Sequence, residues 1–134
     1  MTIDLDHLRT WIGRTETVTE KIGAANLAAL SAALDSDELD PQAGDSVPPA
    51  GHWIYFTPKV KASNIGPDGH AMRGGFLPPV DLPRRMWAGG RIVWQKELRV
   101  DDVVTRTSTI ADVDHKYGKS GDLVFVLVKH QYSG

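Results

Sequence analysis

The sequence predicts an α+β domain with helices segregated to one face of an antiparallel sheet. Three observations predict it: apolar residues at helical spacing in the first quarter, a glycine- and proline-rich middle, and alternating or β-branched runs in the last third.

Leu5, Leu8 and Ile12 recur at helical spacing behind Asp4, which is suited to cap a short helix over residues 4–12. Thr17 and Glu20 then form a capping-box pattern ahead of residues 22–34, where Leu27, Leu30 and Leu34 share one face. The alanines between them predict close packing. Residues 35–51, "DSDELDPQAGDSVPPAG", are acidic and aperiodic, as in a loop or linker. "HWIYFTPKV" reads as extended, and residues 61–83 hold four glycines and four prolines. An irregular stretch of that length is uncommon in a compact domain unless it has a function.

Strand character follows Gly90. "RIVWQKEL" alternates Ile92, Trp94 and Leu98 with polar neighbours, "VVTRTSTIADV" is long and β-branched, and "DLVFVLVKHQY" is apolar on both faces, as a central strand would be. "HKYGKSG" between the last two reads as a hairpin loop, because Gly118 and Gly121 tolerate positive φ.

The 134 residues fit one domain, 1–134, able to bury about two thirds of its unfolded surface. A formal charge of −2 with interspersed signs provides no basic stripe, which disfavours nucleic acid and anionic membranes as partners. The absence of cysteine removes disulfides, thiolate metal sites and a cysteine nucleophile. The longest apolar run, residues 123–128, is far too short for a membrane span, and Asp4 and Asp6 stand where a signal peptide would be basic. A cytoplasmic location is the expectation.

"GKS" at residues 118–120 fails as a phosphate loop, since Val113 occupies the required glycine position. "DGH" puts Asp68 beside His70, a pairing that acid/base chemistry uses. A turn in which Asp68 bonds its own backbone and Gly69 supplies the bend accounts for it better. With His52 and His115 distant in sequence, no metal site is expected. Neither a serine nucleophile elbow nor a GxGxxG loop is present. In "LPRRMWAGG", Arg84 and Arg85 suit bidentate anion contact, and they equally suit pairing with Asp81 or the acidic linker. With Trp87 and the glycines Gly89 and Gly90, the segment could floor a tunnel for an extended ligand. Lys116 and Lys119 are further candidates to meet a phosphate from the hairpin loop.

"GHWIYFTP", "DGH", "GGFLPP", "LPRRMWAGG" and "DVDHKYGKSGDLVFVLVKH", in that order, resemble the N-terminal, FAS1-like dehydratase half of the MaoC-like double-hotdog hydratases. That group is similar to mesaconyl-C4-CoA and itaconyl-CoA hydratases and type 2 3-hydroxyacyl-thioester dehydratases. The resemblance implies a hotdog fold, a bent antiparallel sheet wrapping a helix, with two such units forming one module. It implies reversible addition of water across the α,β double bond of an enoyl thioester, with CoA or an acyl carrier as thioester carrier and no separate cofactor. Such chemistry needs a base for water, an acid for the α-carbon and backbone donors for the thioester oxygen.

Catalytic hotdogs resemble "D-x-N-P-x-H" after the helix. Asp35 stands in place here, but no Asn-Pro follows and Asp40 occupies the histidine position. A second departure is Val100-Asp101-Asp102, where a glycine commonly precedes the aspartate. In the relatives a second hotdog carries the catalytic Asp and His, whereas this chain stops at Gly134. The expectation is therefore the substrate-accommodating half or subunit of an acyl-thioester hydratase or dehydratase, without catalytic residues of its own. It would pair with a second hotdog domain or subunit as a homo- or heterodimer. Residues 61–83 and the segment from Arg84 to Gly90 would replace the long central helix and make room for the acyl group. Arg84, Arg85, Lys116 and Lys119 would meet CoA phosphates. Two alternatives stay open: a self-sufficient homodimer using Asp68 and His70, with His52 across an interface, and a non-catalytic acyl-CoA-binding protein.

Overall fold

A computed structural model describes residues 3–134. Its architecture is the expected α+β class, short helices with a three-stranded antiparallel sheet, in keeping with a hotdog fold.

Helix α1 spans Leu5–Arg9, and Asp4 caps it by accepting a hydrogen bond from the His7 N–H at 3.1 Å. The chain continues as tighter i→i+3 turns through Ile12 and leaves at Gly13, whose φ of 92° ends the helical path. The next segment departs from expectation. Residues Thr15–Lys21 form strand β1, not a capping box. Four β-branched residues among these seven stiffen the chain toward an extended form, and Glu16, Val18 and Glu20 make the less exposed face. Helix α2 begins later, at Ala24–Ala33, with Gly23 as its cap.

Strand β2, Val103–Gly118, runs down the middle of the sheet between β1 and β3, Gly121–Ser133. Register with β1 is fixed from Ile22 opposite Asp102 to Arg14 opposite Ile110, with Thr19 and Thr105 sharing a 2.9 Å hydroxyl bond between them. The third apolar run is thus an edge strand and not the central one expected. It alternates Val124, Val126 and Val128 inward with Leu123, Phe125 and Leu127 outward. Outward apolar residues made both faces look buried in the sequence.

A two-residue turn, Lys119-Ser120, joins β2 to β3. Gly121 adopts φ 117°, and a Cβ on Gly118 would come within 2.9 Å of Leu123 Cδ1, so each glycine has its own reason.

Two further expectations fail. Residues 91–98 are irregular, with Val93 and Trp94 exposed. Alternation alone cannot make a strand without a partner ladder, and only the segment's end finds one, at Val47 N–H to Leu98 O (2.8 Å) beside the Ser46–Arg99 bridge. The "HWIYFTPKV" stretch begins as a 3₁₀ turn, Gly51–Ile54, packed against α2. A Cβ at Gly51 would lie 2.8 Å from Val47 Cγ1, so glycine is required for that approach.

The described residues form two compact units. One comprises Lys59–Ala88, Thr107–Gln131 and the N-terminal segment through Thr17. Its core is Leu8, Ile110 and Val113, covered by Phe76, Leu77, Val80 and the inward valines of β3. The other comprises Val18–Pro58, Gly89–Arg106 and Tyr132–Gly134, with Ile22, Val47, Tyr55, Phe56 and Val104 at its core. Among the described residues, no helix is long and apolar enough to cross a membrane.

Candidate functional site

The irregular middle contains an ordered recess. Ile65 bridges Ala71, Met72 N–H bonds Asn64 O at 2.8 Å, and Gly66 N–H bonds His70 O at 2.7 Å, closing a small hairpin. At its tip Gly69 takes φ 82° and the Asp68 carboxylate accepts the His70 N–H at 3.0 Å. Asp68 Oδ2 also lies 3.4 Å from His70 Nδ1 and 3.9 Å from Arg85 Nε. That backbone hydrogen bond, aided by the charges of His70 and Arg85, holds the Asp68 carboxyl below the usual aspartate range. The "DGH" motif is thus a turn at the mouth of a recess.

Opposite that turn runs the strap of residues 80–85. Arg73 ties it down by donating to the carbonyls of Val80 and Leu82. Asp68, Arg73, Asp81, Leu82, Pro83 and Arg85 line a recess of about 350 Å³ together with the hairpin. Arg73 is committed to backbone carbonyls, whereas Arg85 touches Asp68 only at the limit of an ion pair.

The other expected site residues fall elsewhere. Arg84, Met86 and Trp87 are exposed, and Trp87 keeps 76% of its surface open. Gly89 and Gly90 are exposed and belong to the second unit, and a Cβ on Gly89 would meet nothing within 4 Å. The close backbone approach expected of those glycines is not seen at Gly89 within this chain. Lys116 and Lys119 sit on the β2–β3 hairpin, with Lys116 Nζ 5.4 Å above the Phe125 ring.

Sequence reasoning missed two cross-strand pairs. His115 Nε2 lies 2.9 Å from Asp122 Oδ1, and the buried Ser108 hydroxyl shares a 2.7 Å hydrogen bond with His130 Nδ1. Recognising Lys119-Ser120 as the two-residue loop sets the register and would have placed Asp122 diagonally across from His115. In the second unit, buried His52 stands edge-on to Tyr132 at 4.9 Å, and Phe56 packs on Tyr132 beneath the Arg106 guanidinium. Phe56 is held at φ 59° by donating its N–H to Glu20 at 2.7 Å. No group of three or more metal-ligating side chains occurs among the described residues.

Comparison with known proteins decides the family. A sequence model for hydroxyacyl-thioester dehydratase type 2 matches residues 50–133. Over 121 residues, 90% of this chain, the sequence is 43% identical to a mesaconyl-C(4)-CoA hydratase of Chloroflexus aurantiacus. The chain belongs to the hydroxyacyl-thioester dehydratase type 2 family. It spans 43% of the length of that relative. The type 2 dehydratase match takes in the recess, the strap and the hairpin, and leaves α1, β1 and α2 N-terminal to it.

Proposed function

We infer that this chain is the substrate-accommodating hotdog of an acyl-thioester hydratase or dehydratase, which adds water reversibly across an enoyl thioester. The 43% identity to a mesaconyl-C(4)-CoA hydratase carries the reading and supports short dicarboxylic acyl groups as the substrate class. The carrier is CoA, and no further cofactor takes part.

Catalysis resides in a second hotdog, within the same polypeptide or in another subunit. Two features of this chain support that. After α2 comes Asp35 at φ 58°, followed by an acidic loop without the Asn-Pro-x-His needed to aim an acid/base pair. Of its aspartate–histidine neighbours, Asp68 and His70 form an exposed turn, and His115 and Asp122 are tied to each other across the β2–β3 hairpin. In this division of labour the chain supplies ordered loops and cations, Arg84, Arg85, Lys116 and Lys119, and the partner supplies the proton-transfer groups. The reaction balances without a co-reactant: water gives hydroxide to the β-carbon and a proton to the α-carbon.

The test is to incubate the intact protein that carries this chain with mesaconyl-CoA in ¹⁸O-water. One heavy oxygen in a hydroxyacyl product, by mass spectrometry, is expected. Unchanged thioester, or label in free acid from thioester cleavage, would contradict the reading.

A further inference from the structure

The recess beside Asp68 has the features of a preorganised oxyanion receptor. Its walls are the 64–72 hairpin, closed by three backbone hydrogen bonds, and the 80–85 strap, pinned by Arg73. Pro83 fixes one backbone torsion two residues before Arg85. The strap is pinned at Val80 and Leu82, and the Arg85 side chain is 27% exposed at the edge of the recess. Its partner is weak: Asp68 lies 3.9 Å away and is already engaged by His70 through both the N–H and the ring. A guanidinium forms its strongest contacts as a two-pronged fork on a carboxylate or phosphate, and this ion pair leaves that fork unused.

We propose that Arg85 binds an anionic oxygen group of the thioester substrate in this recess, with Asp68 as the internal anion that the substrate displaces. The proposal rests on the acyl-thioester reading above and deepens it by naming the residue that selects for charge. The ligand chemistry is a carboxylate or phosphate oxygen, which on an acyl-CoA has two sources: the distal carboxylate of the acyl group or a phosphate of the CoA moiety. Arg73 serves first as a strut, because its Nη1 is committed to the Val80 and Leu82 carbonyls. Asp68 has two roles that substitution can separate. Its Oδ1 holds the turn through the His70 N–H, and its charge competes for Arg85. The D68N substitution keeps an oxygen for the first role and removes the charge behind the second.

The experiment is calorimetric titration of the intact protein, and its R85Q, R85K and D68N variants, with CoA, butyryl-CoA and succinyl-CoA, none of which can be hydrated. R85Q is expected to weaken binding about 10-fold or more, as loss of a charge-assisted contact does. A loss shared by all three probes assigns the group to CoA phosphate, and a loss confined to succinyl-CoA assigns it to the acyl carboxylate. R85K should recover part of the loss. D68N should bind the same probe about 2- to 5-fold more tightly than wild type, because the competing carboxylate is gone. Unchanged affinity in R85Q, or a D68N protein that binds as weakly as R85Q, would overturn the proposal. Enoyl-CoA turnover by the wild type, measured alongside, tests the parent reading separately, since the affinity shifts are read whether or not hydration occurs.

Discussion

His52 is 8% exposed at the 3₁₀ turn, against the edge of Tyr132, and burial pushes its pKa below the ordinary histidine value. Above about pH 6.5 the imidazole is neutral in both folded and unfolded chains. As pH falls, the unfolded chain takes up its proton first, so stability declines from there down to the lower folded-state value. Urea midpoints measured from pH 7.5 to 5 should fall, and H52Q should flatten that part of the profile. Close by, the Tyr55 hydroxyl donates to Gly23 O at 2.6 Å, tying the 3₁₀ turn to the cap of α2. Burial, and then the charge of Glu20, push the Tyr55 pKa up, so the hydroxyl stays a donor at neutral pH. Y55F leaves that carbonyl without its partner and should cost about 1–2 kcal/mol in urea unfolding, with little change in m.

Among the turns, Asp101 shows how a departure from the family pattern is absorbed. It sits at φ 74° between β1 and β2, its N–H bonds Ile22 O at 2.9 Å, and its carboxylate lies 3.6 Å from Lys21. Aspartate tolerates the left-handed region better than most residues, and an exposed pair adds little. D101G should therefore stay within about 0.5 kcal/mol of wild type, while β-branched D101V should cost about 1–2 kcal/mol in the same assay.

The legibility of the sequence also varied by element. Residues that carry their own local signal are readable: Asp4 as a cap, Leu27 and Leu30 of α2, the β-branched run of β2 and the glycines of the hairpin, whereas Leu34 lies past the end of α2 and is 69% exposed. Residues 15–21 and 91–98 depart from their local pattern because that pattern is silent about partners. Thr17 and Glu20 fit a capping box equally well until the β2 ladder is known, and Trp94 alternates correctly in a segment with no ladder to join. The recess was half legible. Asp68 and Arg85 are each visible as candidates, but sixteen residues separate them, and no periodicity reports that Arg73 folds the strap back beside the turn.

For the whole molecule, the outward row Leu123, Phe125 and Leu127 on edge strand β3 is the feature that most needs a partner. These residues are 45%, 40% and 61% exposed, and an edge strand also presents unpaired backbone groups. A partner laid on this face would cover the row, and one paired along the β3 edge would satisfy the backbone groups. L127K should leave the core of the chain intact, because Leu127 points away from it. The variant should lower the sedimentation coefficient if the partner is a separate subunit, or expose the row to limited proteolysis if it is tethered. An unchanged assembly and protease pattern would place the partner on another face.

The central claim is that this chain accommodates the thioester while its partner hotdog performs the proton transfers. Its most direct test is hydration of mesaconyl-CoA by the purified 134-residue chain alone, set beside the intact protein at equal concentration. The account predicts turnover by the intact protein and none by the chain alone. Turnover by the chain alone, at a rate comparable to the intact protein, would contradict it and bring the chemistry back to residues of this sequence.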